Sequence, residues 1–404
     1  MDARDAAWVQ ELVYGTFRLR GRIDYILEGH VRRGIARLEP DVLDVLRLGA
    51  YQLLEMGSVP AYAAVSQSVE LVRGVGGRGA DRLVNGVLQS IGRDPDARKP
   101  PDFRADPIGH LSTWGSHPRW LVERWVARFG ADGARDLVEA NNRRPELYLR
   151  VVGIPMGMAA ERLAAAGIAV EPVPAVPGAL RVLPPATASE ALAVVPAIVQ
   201  DPAAGLVVQY SAVPPGARVA DLCASPGGKA VALAERVAYV VAADVSWQRV
   251  RRLRENRDRL SRMIRLGLGI VVADARMPPV RPLDAVLVDA PCTGTGTFRR
   301  HPDGKWRIRE EELGKLVALQ AELLDGAATA VAVDGLLIYA TCSLEPEENE
   351  AQVEAFLDRH PNFERASAPP DVEARALDEA GQLSVRPHEL NFDGAFAARL
   401  RRVA

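Results

Sequence analysis

The sequence predicts an α/β protein in which a doubly wound parallel sheet is preceded by an all-helical domain and a small α+β subdomain. Three observations carry this. From residue 217 onward, short apolar runs alternate with helical patterns (RVADL, AYVVAAD, GIVVAD, DAVLVDAPC, GLLIYATC). Continuous rather than alternating apolar runs mark strands buried on both faces, and the helices between them mark the crossovers of a parallel sheet. Residues 6–90 show only helical spacing, and the stretch between the two regions mixes β-like runs with one helix-like segment, AAERLAAAG. A chain of 404 residues is long enough for two or three such units.

Each element follows from its local pattern. In the helical domain, 1–92, the apolar positions Val9, Leu12, Val13, Thr16 and Phe17, then Val42, Val45, Leu46, Leu48 and Leu53, then Ala64, Ser68, Leu71 and Val72 recur at three- and four-residue spacing. Gly/Pro punctuation over 92–109 ends the pattern and reads as a linker. Within the connector, 93–145, residues 116–142 read as two short helices, with Ser116 as N-cap and Trp120, Trp125 and Phe129 as anchors. The runs LYLRVV and LRVL define the subdomain, 146–205, and the parallel sheet occupies 206–404.

Composition excludes several classes. The chain is 48% hydrophobic and 25% charged, which fits neither a disordered nor a fibrous protein. No stretch approaches a membrane span, and MDARDAAWVQ has neither the basic start nor the apolar run of a signal peptide, so a cytoplasmic protein is expected. The net charge of −2 hides an asymmetry: residues 249–309 hold 15 Lys+Arg against 6 Asp+Glu, whereas 310–380 hold 4 against 17. A face that attracts a polyanion follows from the first stretch. The cysteines, at 223, 292 and 342, form neither a disulfide framework nor a Cys-rich zinc site, and the six histidines lack metal-ligand spacing, so no metal is expected.

The chemistry gathers at the ends of the predicted strands. Ala217–Leu222 forms the first, and Cys223-Ala224-Ser225-Pro226-Gly227-Gly228-Lys229 the turn into a helix. Gly227 and Gly228 let the backbone approach a ligand, and the helix N-terminus favours an anionic group. Alone, this turn reads equally as an ordinary Gly-rich connection. The next three strands, however, end at Asp244, Asp274 and Asp289. Acids at successive strand ends line the crevice where such sheets bind ligands, and Asp244 has the spacing of a ribose-binding acid, so a nucleoside-type cofactor is expected.

Cys292 and Cys342 follow strands on that same face. A free cysteine is ordinarily a small buried hydrophobe. Two at strand ends on the ligand face read instead as nucleophilic chemistry. Cys223 opens the turn, where the backbone is what matters, and carries no chemistry. The segment 294–307, GTGTFRRHPDGKWR, reads as a mobile basic loop that grips a nucleic-acid backbone, with Phe298 or Trp306 stacking on bases. Glu345–Glu350 reads as a helix start whose acids complement the dipole.

These residues resemble the RNA cytosine-C5 methyltransferases that use S-adenosylmethionine. The likeness runs through DLCASPGGK at 221–229, Asp244, ENRDRL at 255–260, Asp274, DAPCTGTGTFRRHPDGKW at 289–306 and ATCSLEPEENE at 340–350. Amino-group methyltransferases carry an Asn/Asp-Pro-Pro-aromatic motif where this chain has Asp289-Ala290-Pro291-Cys292. The N-terminal region is similar to the helical RNA-binding domain of the antitermination factor NusB, through ELVYGTFRLRGRIDYIL at 11–27 and RLVNGVLQSI at 82–91.

The resemblance implies a Rossmann-like class I methyltransferase sheet and a bacterial enzyme that methylates C5 of a cytosine in ribosomal RNA, that of the small subunit. It implies Cys342 as the nucleophile that adds to C6, Cys292 as the group that assists release, and Asp289 beside the ring and the cofactor. Residues 223–229 with Asp244, Asp274 and Asp289 would hold S-adenosylmethionine, and the chain is expected to act as a monomer on ribosomal RNA. Two alternatives share these motifs: a methyltransferase for transfer RNA or large-subunit RNA, and an RNA-binding assembly or antitermination factor with a vestigial methyltransferase domain. The chain departs from the family pattern at Arg150-Val151-Val152, where Arg-Val-Asn is usual, and in lacking the usual Gly before Val199-Gln200-Asp201. The resemblance also implies one more helix ahead of DAAWVQELVYGT than this sequence has.

Overall fold

Amphipathic spacing produces five helices at the start of the chain: α1 (Ala3–Arg18), α2 (Arg20–His30), α3 (Pro40–Glu55), α4 (Ala61–Val75) and α5 (Ala80–Arg93). The computed structural model describes residues 3–94 and 99–404, so residues 95–98 of the predicted linker lie outside the described residues. Ile23, Leu27, Leu46, Val72, Leu88 and Ile91 form the buried core of this bundle. α1 meets α3 where the Tyr51 ring lies against Gly15, and Trp8, Val9, Val13, Tyr14 and Phe17 remain exposed.

Two further helices, α6 (Pro107–Thr113) and α7 (Arg119–Asn142), complete the helical part. Asp106 caps α6 by accepting from the Gly109 N–H, with Pro107 at the first helical position. α7 breaks at Gly130, whose φ of 72° is left-handed, in keeping with the two helices expected there. Ser116 does not cap α7. It is buried with a φ of 60°, and its hydroxyl accepts from the Gly21 N–H at 2.9 Å.

The described residues divide into two compact units, 1–143 with 298–308, and 144–297 with 309–404. The segment 298–308, expected to be a mobile RNA-gripping loop, belongs to the core of the helical unit. Phe298 is buried, with His117 and Trp125 each 6.4 Å away between ring centres. Lys305 is buried and donates to the Arg18 carbonyl at 2.9 Å and to Asn142 Oδ1 at 3.1 Å. Trp306 Nε1 donates to the Phe17 carbonyl, and the Arg20 guanidinium lies over its ring. Burial of the apolar surface of Phe298 outweighs the polarity of its neighbours, which the charge pattern alone does not reveal.

The second unit opens with a four-stranded antiparallel sheet of β1 (Leu147–Val151), β2 (Val170–Pro172), β3 (Ala179–Val182) and β4 (Ala197–Val199), in the order β2-β3-β1-β4. Helices α8 (Met156–Ala165) and α9 (Ala188–Val194) cover it, the latter started by a Thr187/Glu190 capping box. Helix α10 (Pro202–Ser211), capped by Asp201, leads into the large sheet. That sheet holds β5 (Arg218–Asp221), β6 (Tyr239–Asp244), β7 (Leu268–Val272), β8 (Leu283–Asp289), β9 (Val331–Thr341), β10 (Phe363–Arg365), β11 (Leu383–Val385) and β12 (Ala395–Arg402). Between β5 and β7 run helices α11 (Gly228–Ala234) and α12 (Trp247–Ser261).

Strand order is β10-β12-β9-β8-β5-β6-β7, with β11 paired to β12. The five strands expected from the sequence are parallel as predicted, but β12 runs antiparallel to β9 and makes the sheet mixed. The Ala- and Arg-rich run AFAARLRR gives little strand signal because both residue types are weak strand formers. Val152, Val176, Ile198 and Leu206 share one core with Val219, Val231, Leu253 and Leu383, so the small sheet packs as part of this unit. Connections from β5 run one way to β6, while β8 lies on its other side, and this reversal opens a crevice at the carboxyl ends of the strands.

Candidate active site

The turn after β5 sits on the crevice. Gly227 has a φ of 106°, which a Cβ would strain. A Cβ on Gly228 would come within 2.9 Å of the Gln200 side-chain nitrogen. Gln200 is buried, and neither atom of its amide has a hydrogen-bond partner. The same holds for both carboxylate oxygens of Asp221, at the end of β5, and for the Ser225 hydroxyl. Burial, reinforced by the charges of Asp289 and Asp244 and opposed by Lys229 and the nearby backbone N–H of Cys223, pushes the Asp221 carboxyl up to about 8. Asp244, also buried, accepts from the Ser246 N–H at 2.9 Å at the start of α12.

A cradle of unsatisfied donors and acceptors between a glycine turn and strand-end acids fits a polar, cationic amino-acid-plus-nucleoside ligand, which would complete these hydrogen bonds. Asp274 stands apart in character. It lies two residues beyond β7, and its carboxylate is held by the Arg276 guanidinium at 2.7 Å, which lowers its proton affinity. Cys223 is kept as a thiol first by burial and then by the nearby Asp221.

On the other side of the switch point, Lys229 Nζ meets Asp289 Oδ2 at 2.6 Å. Burial is the largest influence on the Lys229 ammonium and opposes its charge. Asp289 and then Cys342 more than offset it, and the group titrates above its ordinary value. Cys292 and Cys342 come together with sulfurs 3.4 Å apart, both free thiols. The Cys292 thiol is pushed well up, first by its hydrogen bond to Cys342, then by burial and by the charges of Cys342 and Glu348. Either sulfur can donate in this contact.

The backbone around the thiols is closely tied. Gly296 N donates to the Cys342 carbonyl at 2.9 Å, and a Cβ on Gly296 would stand 2.8 Å from that oxygen and 2.6 Å from Gly394 Cα. Thr295 Oγ1 accepts from Leu344 N at 2.8 Å. The structure thus brings Lys229, Asp289, Cys292 and Cys342 together. Sequence reasoning missed the unpartnered Gln200 and Asp221 and the Lys229–Asp289 pair. For Gln200 and Asp221 the only signal is their place within Val199-Gln200-Asp201 and DLCASPGGK.

A Rossmann-like mixed sheet with a glycine turn, strand-end acids and paired cysteines defines an S-adenosylmethionine-dependent methyltransferase. Comparison with known proteins narrows the class. Residues 211–401 match the 16S rRNA methyltransferase RsmB/F family, residues 1–93 the NusB family, and residues 117–188 the RsmF/B-like ferredoxin-like domain. The chain is 32% identical to the probable ribosomal RNA small subunit methyltransferase B of Bacillus subtilis, over 97% of this chain and 89% of that one. It is 33% identical to the ribosomal RNA small subunit methyltransferase B of Salmonella arizonae, over 98% and 90%.

Among solved structures, that of PH0851 superposes with a TM-score of 0.81 at 27% identity, covering 99% of this chain and 91% of the other. A methyltransferase homolog protein from Pyrococcus horikoshii, 23% identical, shares the fold over 74% of this chain and 99% of its own, with a TM-score of 0.59. This chain belongs to the RsmB/F family of 16S ribosomal RNA methyltransferases. No described helix is long and apolar enough to cross a membrane, and among the described residues no cluster of His, Cys, Asp and Glu is arranged to hold a metal ion.

Proposed function

We propose that this chain methylates C5 of a cytosine in 16S ribosomal RNA through a transient bond between Cys342 and C6 of the base. The observation that carries the reading is the 3.4 Å approach of the two thiols beside the Lys229–Asp289 pair. C5 of cytosine is too weak a nucleophile to be methylated readily by itself. When the Cys342 thiolate forms a bond to C6, the ring double-bond electrons move toward C5, N3 takes up a proton from solvent, and Asp289 stabilises the protonated N3 side of the ring. S-adenosylmethionine, held by residues 223–229 with Asp244 and Asp274, supplies an electrophilic methyl group at C5.

The C5 proton must then leave. Cys292, 3.4 Å from Cys342, is the group placed to take it, acting as a thiolate after its own proton has passed to solvent. The S–C6 bond breaks as the C5–C6 double bond reforms, the N3 proton is lost, and Cys342 leaves as a thiolate. A base held in a duplex cannot reach such a pocket, so the target cytosine is unpaired or flipped out, at a cost of a few kcal/mol.

The ribosomal RNA substrate supports a cytoplasmic site of action, and the presence of every proposed site residue on one chain supports action as a monomer. The test is an adduct assay. Cys342→Ala should abolish both turnover and any covalent RNA adduct. Cys292→Ala should accumulate an adduct that survives denaturing electrophoresis and disappears on RNA digestion. Adducts from the Cys342 variant alone would reverse the roles. Bisulfite sequencing of ribosomal RNA with and without the protein locates the cytosine.

A further inference from the structure

The acidic run after Cys342 leads into the helix Glu350–Arg359 as expected, but it also does something more. Glu348 is fully buried, and its carboxylate accepts three bonds, none from a cation: from the Thr293 N–H at 2.9 Å, from Thr293 Oγ1 at 2.5 Å and from Gln320 Nε2 at 2.9 Å. Thr293 is the residue after Cys292, and Gln320 Nε2 also donates to the Pro291 carbonyl just before it. The next residue, Asn349, stands at the N-cap of the helix Glu350–Arg359 without capping it. Its Nδ2 donates to the Ser343 carbonyl at 2.9 Å, and its Oδ1 accepts from Thr341 Oγ1 at 2.5 Å. Thr341 and Ser343 flank Cys342.

An N-cap asparagine ordinarily satisfies its own helix, and a buried carboxylate ordinarily seeks a cation. Here both side chains are spent instead on the two loops that carry the thiols. We propose that Glu348 and Asn349 are positioning residues that set the separation of the two cysteines, Glu348 by holding the Cys292 loop and Asn349 by holding the Cys342 loop. The assignment rests on the proposed roles of the two thiols.

The two residues act on different steps, so their variants have different signatures. Glu348→Gln keeps the volume but presents an amide donor where three donors converge, which loosens the Cys292 loop. A loop displaced by about 1 Å costs on the order of 100-fold in rate. In the full-length protein with S-adenosylmethionine and 16S ribosomal RNA, this variant should turn over about 100-fold more slowly and retain the covalent adduct, as Cys292→Ala does. Asn349→Ala should instead form less adduct at every time point. Both should bind S-adenosylmethionine by calorimetry within about twofold of wild type, because the cofactor cradle is built from other residues.

Three results would overturn the proposal: wild-type turnover by Glu348→Gln while Cys292→Ala still traps RNA, the same loss of adduct in both variants, or a tenfold loss of cofactor affinity in either. If Cys292→Ala itself traps nothing, the assignment of the two thiols has failed, and the positioning roles built on it fall with it.

Discussion

The cysteine pocket and the cofactor cradle occupy the same edge of one sheet but treat their polar groups in opposite ways. Around the thiols, Thr293, Thr295, Thr341, Ser343, Glu348 and Asn349 are all buried and all hydrogen-bonded to one another or to the adjoining backbone. In the cradle, the Gln200 amide, the Asp221 carboxyl and the Ser225 hydroxyl are buried or nearly so without a partner. A satisfied network is rigid before substrate arrives, whereas an unsatisfied one is completed by its ligand. Chemistry that depends on a 3.4 Å thiol separation needs the first arrangement. Recognition of a small polar molecule uses the second.

Calorimetry and thermal unfolding can break this comparison. The largest effect is expected at Gly228, where a side chain would enter the space beside Gln200. Gly228→Val should weaken S-adenosylmethionine by about 100-fold, equivalent to roughly 2.7 kcal/mol. Asp244→Ala, which removes a carboxylate acceptor, should cost about tenfold. At a cofactor concentration about 100 times Kd, the wild type gains roughly 2.7 kcal/mol and should melt several degrees higher. Cys342→Ala should keep that shift and Gly228→Val lose most of it. Equal losses of cofactor affinity in both would show that cradle and cysteine pocket are one unit.

How far the sequence anticipates these regions depends on the range of the interactions. The parallel strands and their terminal acids were legible because a buried strand writes a continuous apolar run and because motifs such as Asp289-Ala290-Pro291-Cys292 are local. The Lys229–Asp289 and Cys292–Cys342 contacts span 60 and 50 residues and are set by strand order, which no single stretch encodes. The acidic run 345–350 does lead into a helix, as its composition implies, but the partners of Glu348 come from residues 293 and 320, which its neighbours in sequence do not reveal. Phe298 and Lys305 misled in a similar way. In a Gly-rich basic segment they look solvated, and only the partners at His117, Trp125, Arg18 and Asn142 reveal a core contribution.

A last measurement sharpens the comparison most directly, because it needs neither RNA nor cofactor. Asp221 titrates at about 8 in the folded protein and near 4 when unfolded. Below pH ~4 the carboxyl is protonated in both states and contributes no pH-dependent term. Between the two values the folded state keeps a proton that the unfolded state releases, so stability falls as pH rises and levels off above the folded value. Asp221→Asn removes this term by putting a neutral amide in the same space. Without cofactor, the variant's melting temperature should gain on that of wild type steadily from pH 5 to 8, by on the order of 10 °C, since each pH unit is worth up to about 1.4 kcal/mol and each kcal/mol roughly 2–4 °C in a unit of this size. A difference that stays constant over that range would mean that Asp221 is ionised in the fold, with its charge balanced by Lys229 rather than left for the ligand to meet.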